Sequence, residues 1–168
     1  MTRALRLVAL ILIGAATIVL IHYTVWLPLA CEANVTRAFD ALDSVADRND
    51  IAKRAASQHA ESVLRGCECL EGQDVKLSYA RGTILRYRGE PARAIDAYRR
   101  ALSIDRRPEI YLDLGYAQLD AMDQPGAIES FAAAGAFAPA LLDRIPYADA
   151  RAAAERRIRA TYGAQWLP

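Results

Sequence analysis

Three cysteines and two histidines carry the widest chemical repertoire in this chain: Cys31, Cys67, Cys69, His22 and His59. Cys67 and Cys69 stand as Cys-Glu-Cys, which lacks the two-residue spacing of zinc and thioredoxin-like sites, and there is no Cys-x-x-Cys-His haem sequence. His22 falls inside an apolar run. His59 lies between Ala56 and Ala60 in a helical pattern, which predicts a packed ring rather than a base. The chain has no phosphate-binding Gly-x-x-x-x-Gly-Lys loop, no Gly-x-Ser-x-Gly and no His-Glu-x-x-His. Its carboxylates are scattered along polar faces. No convergent set of nucleophile, base and stabiliser is therefore expected, nor any catalytic residue, metal or cofactor, and the chain reads as a non-enzyme. The chemistry left to the cysteines is disulfide formation or lipid attachment. Which of these applies depends on the elements that position them.

The 168 residues suffice for one domain of ordinary size, and 21 basic against 20 acidic side chains leave a formal charge of +1. A nearly neutral chain has no electrostatic footprint for nucleic acid. Three cysteines are too few for a disulfide scaffold, and an odd count leaves one thiol without an intramolecular partner.

From Leu7 to Leu27 the sequence LVALILIGAATIVLIHYTVWL carries no formal charge. As a helix it would be about 31 Å long, close to the ~30 Å hydrocarbon core of a bilayer. A cleaved signal peptide would have a shorter core and a small-x-small site, and no Ala-x-Ala follows here. The segment LPLAC resembles a lipobox, the pattern that precedes a lipid-modified cysteine. Pro28 stands where that pattern has leucine, however, and Leu29 where it has a small residue. An uncleaved anchor is the main expectation, with Tyr23 and Trp26 at the interface and Pro28 ending the helix; a lipoprotein modified at Cys31 is the alternative. Arg3 and Arg6 precede the span, and the residues just after it add no net charge, so the positive-inside rule keeps the N-terminus in the cytoplasm and exports the rest. Arginine-led anchors of this kind point to a bacterial inner membrane and a periplasmic body.

Beyond the anchor, apolar residues recur at helical spacing. Residues 32–46 present Val35, Ala38, Phe39, Leu42 and Val45; residues 51–67 present Ile51, Ala55, Ala56, Ala60, Val63, Leu64 and Cys67, with Asp50 and Asp74 as expected caps. Two helices of similar length joined by a short turn pack antiparallel, which brings Cys31 close to Cys67 and Cys69. In an oxidising compartment one of those pairs can persist as a disulfide. Cys69 is the preferred partner, because Cys67 continues the apolar stripe of its helix.

The next stretch repeats itself. YARGTILRYRGEPARAIDAYRRALSIDRRP sets over YLDLGYAQLDAMDQPGAIESFAAAGAFAPA so that Gly82 falls on Gly115, Ala94 on Ala127, Ile95 on Ile128, Tyr98 on Phe131 and Ala101 on Ala134, at one constant offset. Small residues suit close approach of two helices, and large ones the stacking of successive pairs. The pattern resembles the tetratricopeptide repeat, a helix–turn–helix unit of about 34 residues. The second copy matches better, with Tyr111, the Leu114–Gly115 pair, Ala127, Phe131, Ala134 and a closing Pro139. The first departs at Ser78, Arg81 and Arg106. The resemblance spans 75–140, under half the chain.

Together with the anchor read from the apolar run, it implies an all-α fold: a transmembrane helix (1–30), a helical hairpin cap (31–74), two repeats of an α-solenoid (75–140) and a C-terminal cap (141–168) whose helix starts at Pro146 and is sealed by Tyr162 and Trp166. It further implies a groove lined by the first helix of each pair, with Lys76, Tyr79, Thr83, Arg86 and Tyr87 from the first copy and Leu112, Tyr116 and Leu119 from the second. The family's carboxylate clamp uses lysine and asparagine where Tyr79 and Thr83 stand, so the expected surface is a mixed aromatic and arginine one. The function implied is a membrane-anchored interaction module or scaffold for a protein or peptide partner. A structural subunit of a membrane assembly is the alternative.

Overall fold

The computed structural model describes residues 3–70 and 72–163. Among these residues all regular structure is helical: α1 (Arg3–Ile21), a π-helical turn (His22–Trp26), α2 (Leu27–Asp43), α3 (Asp50–Val63), α4 (Val75–Tyr87), α5 (Pro91–Ile104), α6 (Pro108–Asp120), α7 (Gln124–Phe137) and α8 (Ala148–Tyr162), with short 3-10 turns at Glu68–Leu70 and Pro139–Arg144. One helix, near the N-terminus, is long and apolar enough to cross a membrane, and its apolar window is wholly exposed.

Pro28 does not end that helix. α1, the π-helical turn and α2 follow one another without a break from Arg3 to Asp43, about 60 Å at ~1.5 Å per residue. Proline lacks an amide hydrogen, and its ring crowds the carbonyl four residues back. The backbone absorbs this by widening one turn ahead of it, where the Leu27 N–H donates to His22 O instead of Tyr23 O. The boundary expected at residue 30 therefore lies inside a continuous rod.

From α2 onward each helix packs on the next in the chain, most extensively in the α4–α5 and α6–α7 pairs, and α4 also touches both α2 and α6. α2 and α3 form an antiparallel hairpin. Its core is Val35, Ala38, Leu42, Ala60 and Leu64, closed by a Cys31–Cys67 disulfide with 5.7 Å between Cα atoms. The partner is Cys67 rather than Cys69. The Cys67 N–H folds back onto Leu64 O at 3.1 Å, which turns the side chain inward, whereas Cys69 rides on the outside of the following 3-10 turn as a free, exposed thiol.

The buried face of α3 also differs from the expected stripe. Ile51 is 79% exposed, and Ala55 and His59 point outward, while Ser57 is buried. Ser57 tolerates this because its hydroxyl donates to Arg54 O at 2.7 Å, leaving no unpaired donor. The N-cap is Asn49, whose Oδ1 accepts from the Ala52 N–H at 3.0 Å, and not Asp50; Asp74 does cap α4, accepting from the Leu77 N–H at 2.9 Å.

The two pairs are built alike around a missing side chain. A Cβ on Gly82 would come within 2.4 Å of the Tyr98 ring, and one on Gly115 within 2.5 Å of the Phe131 ring. The large rings thus fill the glycine notch of their own pair, rather than only stacking one pair on the next. The turns that close the pairs are alike too: Gly89 (φ 79°) and its equivalent Met122 (φ 62°) both adopt the left-handed conformation. After Pro139 the 3-10 turn leads to α8, which begins two residues beyond Pro146 and buries Ala150, Ala154 and Ile158 against α7. Tyr162 remains 51% exposed and does not seal the end; Trp166 lies outside the described residues.

Candidate partner-binding groove

α2, α4 and α6 run side by side in the same direction, and the hollow between them is a groove of about 520 Å³. Its rim is completed by Arg144, Pro146 and Tyr147 from the segment ahead of α8. Tyr79, Thr83, Arg86 and Tyr87 line it from α4, and Tyr116 and Leu119 from α6.

Two expected residues do not. Leu112 is only 1% exposed and packs in the α6–α7–α8 core with Phe131, Leu142 and Ile158. Lys76 lies one turn too early on α4, at the helix start, where it pairs with Glu32 of α2 at 3.2 Å.

The floor is a polar network between adjacent pairs. Tyr79 Oη donates to Asp113 Oδ2 at 2.5 Å, and Arg86 Nε donates to Asp120 Oδ2 at 3.0 Å with Nη1 3.8 Å from Asp113 Oδ1. The Arg86 guanidinium also lies over the Tyr116 ring, 4.9 Å from its centroid, and Tyr116 Oη donates to Arg144 O at 2.5 Å. Burial pushes the Asp113 carboxyl above its ordinary value; the Tyr79 hydrogen bond and the Arg86 charge pull the other way and do not cancel it. Burial also opposes the Arg86 charge, but Tyr98, Asp113 and Asp120 outweigh it and hold the guanidinium above its ordinary value. The Tyr79 phenol is pushed up by burial and by the Asp113 carboxylate, so it stays a donor at any physiological pH.

Asp113 and Asp120 were not among the expected groove residues. The signal for them is that Tyr79 and Asp113, and Arg86 and Asp120, are equally spaced along the chain, a donor in one copy and an acceptor one residue beyond its equivalent position in the next. Phe39, Asp43 and Asp47, from α2 and the turn after it, were missed too; they enter because α2 serves as the first helix of a further pair. Asp43 and Asp47 are exposed and form no ion pair among the described residues, and Tyr147 is 57% exposed, so the rim presents polar and aromatic groups to solvent. Among the described residues no cluster of histidine, cysteine and carboxylate side chains could hold a metal ion.

Comparison with known proteins found no matching family model, no matching curated protein and no matching solved structure.

Proposed function

We propose that this chain is a single-pass membrane protein whose exported, tetratricopeptide-like body holds a protein or peptide segment in the groove between α2, α4 and α6. The observation that carries the reading is the division of labour within the groove. Tyr79, Arg86, Asp113 and Asp120 spend their polar groups on one another and fix its shape, while Asp43, Asp47 and Tyr147 stay exposed around it. A preformed concavity with a rigid floor and an exposed rim spends little on ordering itself when a partner binds.

The cysteines support the exported location. A Cys31–Cys67 disulfide persists in oxidising compartments and not in a reducing cytoplasm. It also engages the Cys31 sulfur that a lipoprotein would use for its thioether, which speaks against the lipidated alternative. The anchor reading rests on the apolar, unburied helix that leads into the body. The body would then lie on the periplasmic side of a bacterial inner membrane.

The test is recovery of the partner with the full-length protein extracted from its native membrane. Tyr116→Ala together with Tyr147→Ala is expected to lower recovery several-fold, aromatic side chains being frequent hot spots. Unchanged recovery from a folded variant would overturn groove binding. It would favour instead a subunit of a membrane assembly, a role suited to the uninterrupted helix from Arg3 to Asp43.

A further inference from the structure

The helix register fixes which edge of the body faces the anchor. Lys76 of α4 pairs with Glu32 of α2, the Tyr79 ring lies 5.1 Å from that of Phe39, and Arg86 reaches Asp120 of α6. The starts of α2, α4 and α6 are therefore on one edge, the edge where the chain passes Leu27. α5 and α7 run the opposite way, so their last residues, Ile104 and Phe137, return to that same edge. These two are equivalent positions of the repeat. Ile104 is 40% exposed and shares a shallow groove with Pro28, Leu29 and Val75; Phe137 is 60% exposed and stacks on Tyr111 with 6.0 Å between centroids.

We propose that this edge rests on the membrane surface, with Ile104 and Phe137 seated in the lipid headgroup layer beside the anchor; the proposal rests on the anchor reading above. Exposure alone does not carry it, since Ile51 and Met122 are as exposed on the opposite edge. Continuity does. Trp26 and Leu29, 66% and 59% exposed, lead from the lipid-facing surface of α1 into the hollow that Ile104 lines, where Glu32 and Lys76 pair with each other and Asp74 is spent on capping α4. The scale fits as well. The headgroup region adds about 5–8 Å beyond the hydrocarbon, and one helical turn past Leu27 covers about 5.4 Å of it. A body tied to α2 at Cys31 cannot hold its lower edge clear of that layer. The turn between α5 and α6 carries a matching charge: Arg107 is spent on Asp105 at 2.7 Å, while Arg106 is exposed and has no ion pair among the described residues, placed to meet a lipid phosphate.

The test uses the full-length protein in nanodiscs whose lipids are brominated near the top of the acyl chain, so that a shallow indole is quenched. In a Trp26→Phe, Trp166→Phe background, single indoles are introduced by Ile104→Trp, Phe137→Trp and Met122→Trp, all at exposed positions where folding is not at stake. Native Trp26, read in a Trp166→Phe protein, marks the interface. The indoles introduced at positions 104 and 137 are expected to be quenched at least half as strongly as Trp26, and the one at 122 hardly at all. Quenching of Trp26 with none at 104 and 137 would overturn the proposal and leave the anchor standing. An unquenched Trp26 would remove the anchor itself, and the proposal with it.

Discussion

Tyr79 and Asp113 stand in neighbouring helix pairs, and the 2.5 Å hydrogen bond between them ties α4 to α6 at the floor of the groove. The carboxyl is held above its ordinary value by burial, so the folded protein takes up its proton at higher pH than the unfolded chain does. Across the window from the ordinary carboxylate value up to the raised one, the folded state binds more protons. The stability this contributes is complete below the window and is lost as pH rises through it. Asp113→Asn keeps an acceptor for Tyr79 and removes the titration. Its stability is expected to gain on that of the wild type as pH rises from about 4 towards neutrality. Urea midpoints measured at several pH values check this, and parallel curves for the two proteins would refute it.

The glycine notches predict a reversed sign. A mid-helix Gly→Ala exchange ordinarily gains about 0.5–1 kcal/mol. At Gly115 the new methyl would lie 2.5 Å from a fully buried Phe131 ring, and overpacking of that kind costs about 1–3 kcal/mol. Gly115→Ala is expected to destabilise, and Phe131→Leu in the same chain to be far less harmful than it is alone. A double-mutant cycle by chemical denaturation measures that coupling, and additive effects would contradict the notch.

Met122 predicts the opposite outcome. It holds φ 62° in a turn where the equivalent residue is Gly89, and its side chain is 91% exposed, so nothing offsets the strained backbone. Met122→Gly is expected to raise stability by up to about 1 kcal/mol. A loss of stability on thermal or urea unfolding would show that the side chain has a stabilising contact.

The Cys31–Cys67 bond closes a loop with a sequence separation of 36. Cys31→Ser or Cys67→Ser is expected to cost about 3–4 kcal/mol in the chain-entropy account, and Cys69→Ser less than about 0.5 kcal/mol. Alkylation of the denatured protein without reductant is expected to modify Cys69 alone. Modification of all three thiols would show the bond absent.

Much of this architecture could be read from the chain because its signals are local and repeated. Gly82 with Tyr98 and Gly115 with Phe131 announce two like pairs, and similar helix lengths bring Cys31 to the end of the next helix. The errors arose where one contact overrides a pattern. Ser57 is buried in place of Ile51 because a hydroxyl bonded to Arg54 O packs as a small neutral residue. Pro28 is accommodated by a π-helical turn, which composition does not foretell. Leu112 occupies the position equivalent to Tyr79, yet one faces the core and the other the groove: the long phenol reaches out to Asp113, and the shorter leucine turns in beneath Phe131. The acidic half of the floor went unread because Asp113 and Asp120 matter only as partners of Tyr79 and Arg86, and pairing across a repeat is a property of two residues rather than one.

Site-specific photo-crosslinking in intact cells tests most directly whether the groove is the working surface. A photoreactive phenylalanine analogue replaces Tyr147 on the groove rim, Gln58 on the outer face of α3, or Val19 in α1, in the otherwise unaltered full-length chain. A discrete adduct from position 147, absent from position 58 and lost when Tyr116→Ala is added, is the predicted result. Adducts from position 19 with none from 147 would contradict it and place the contacts of this protein along its anchor.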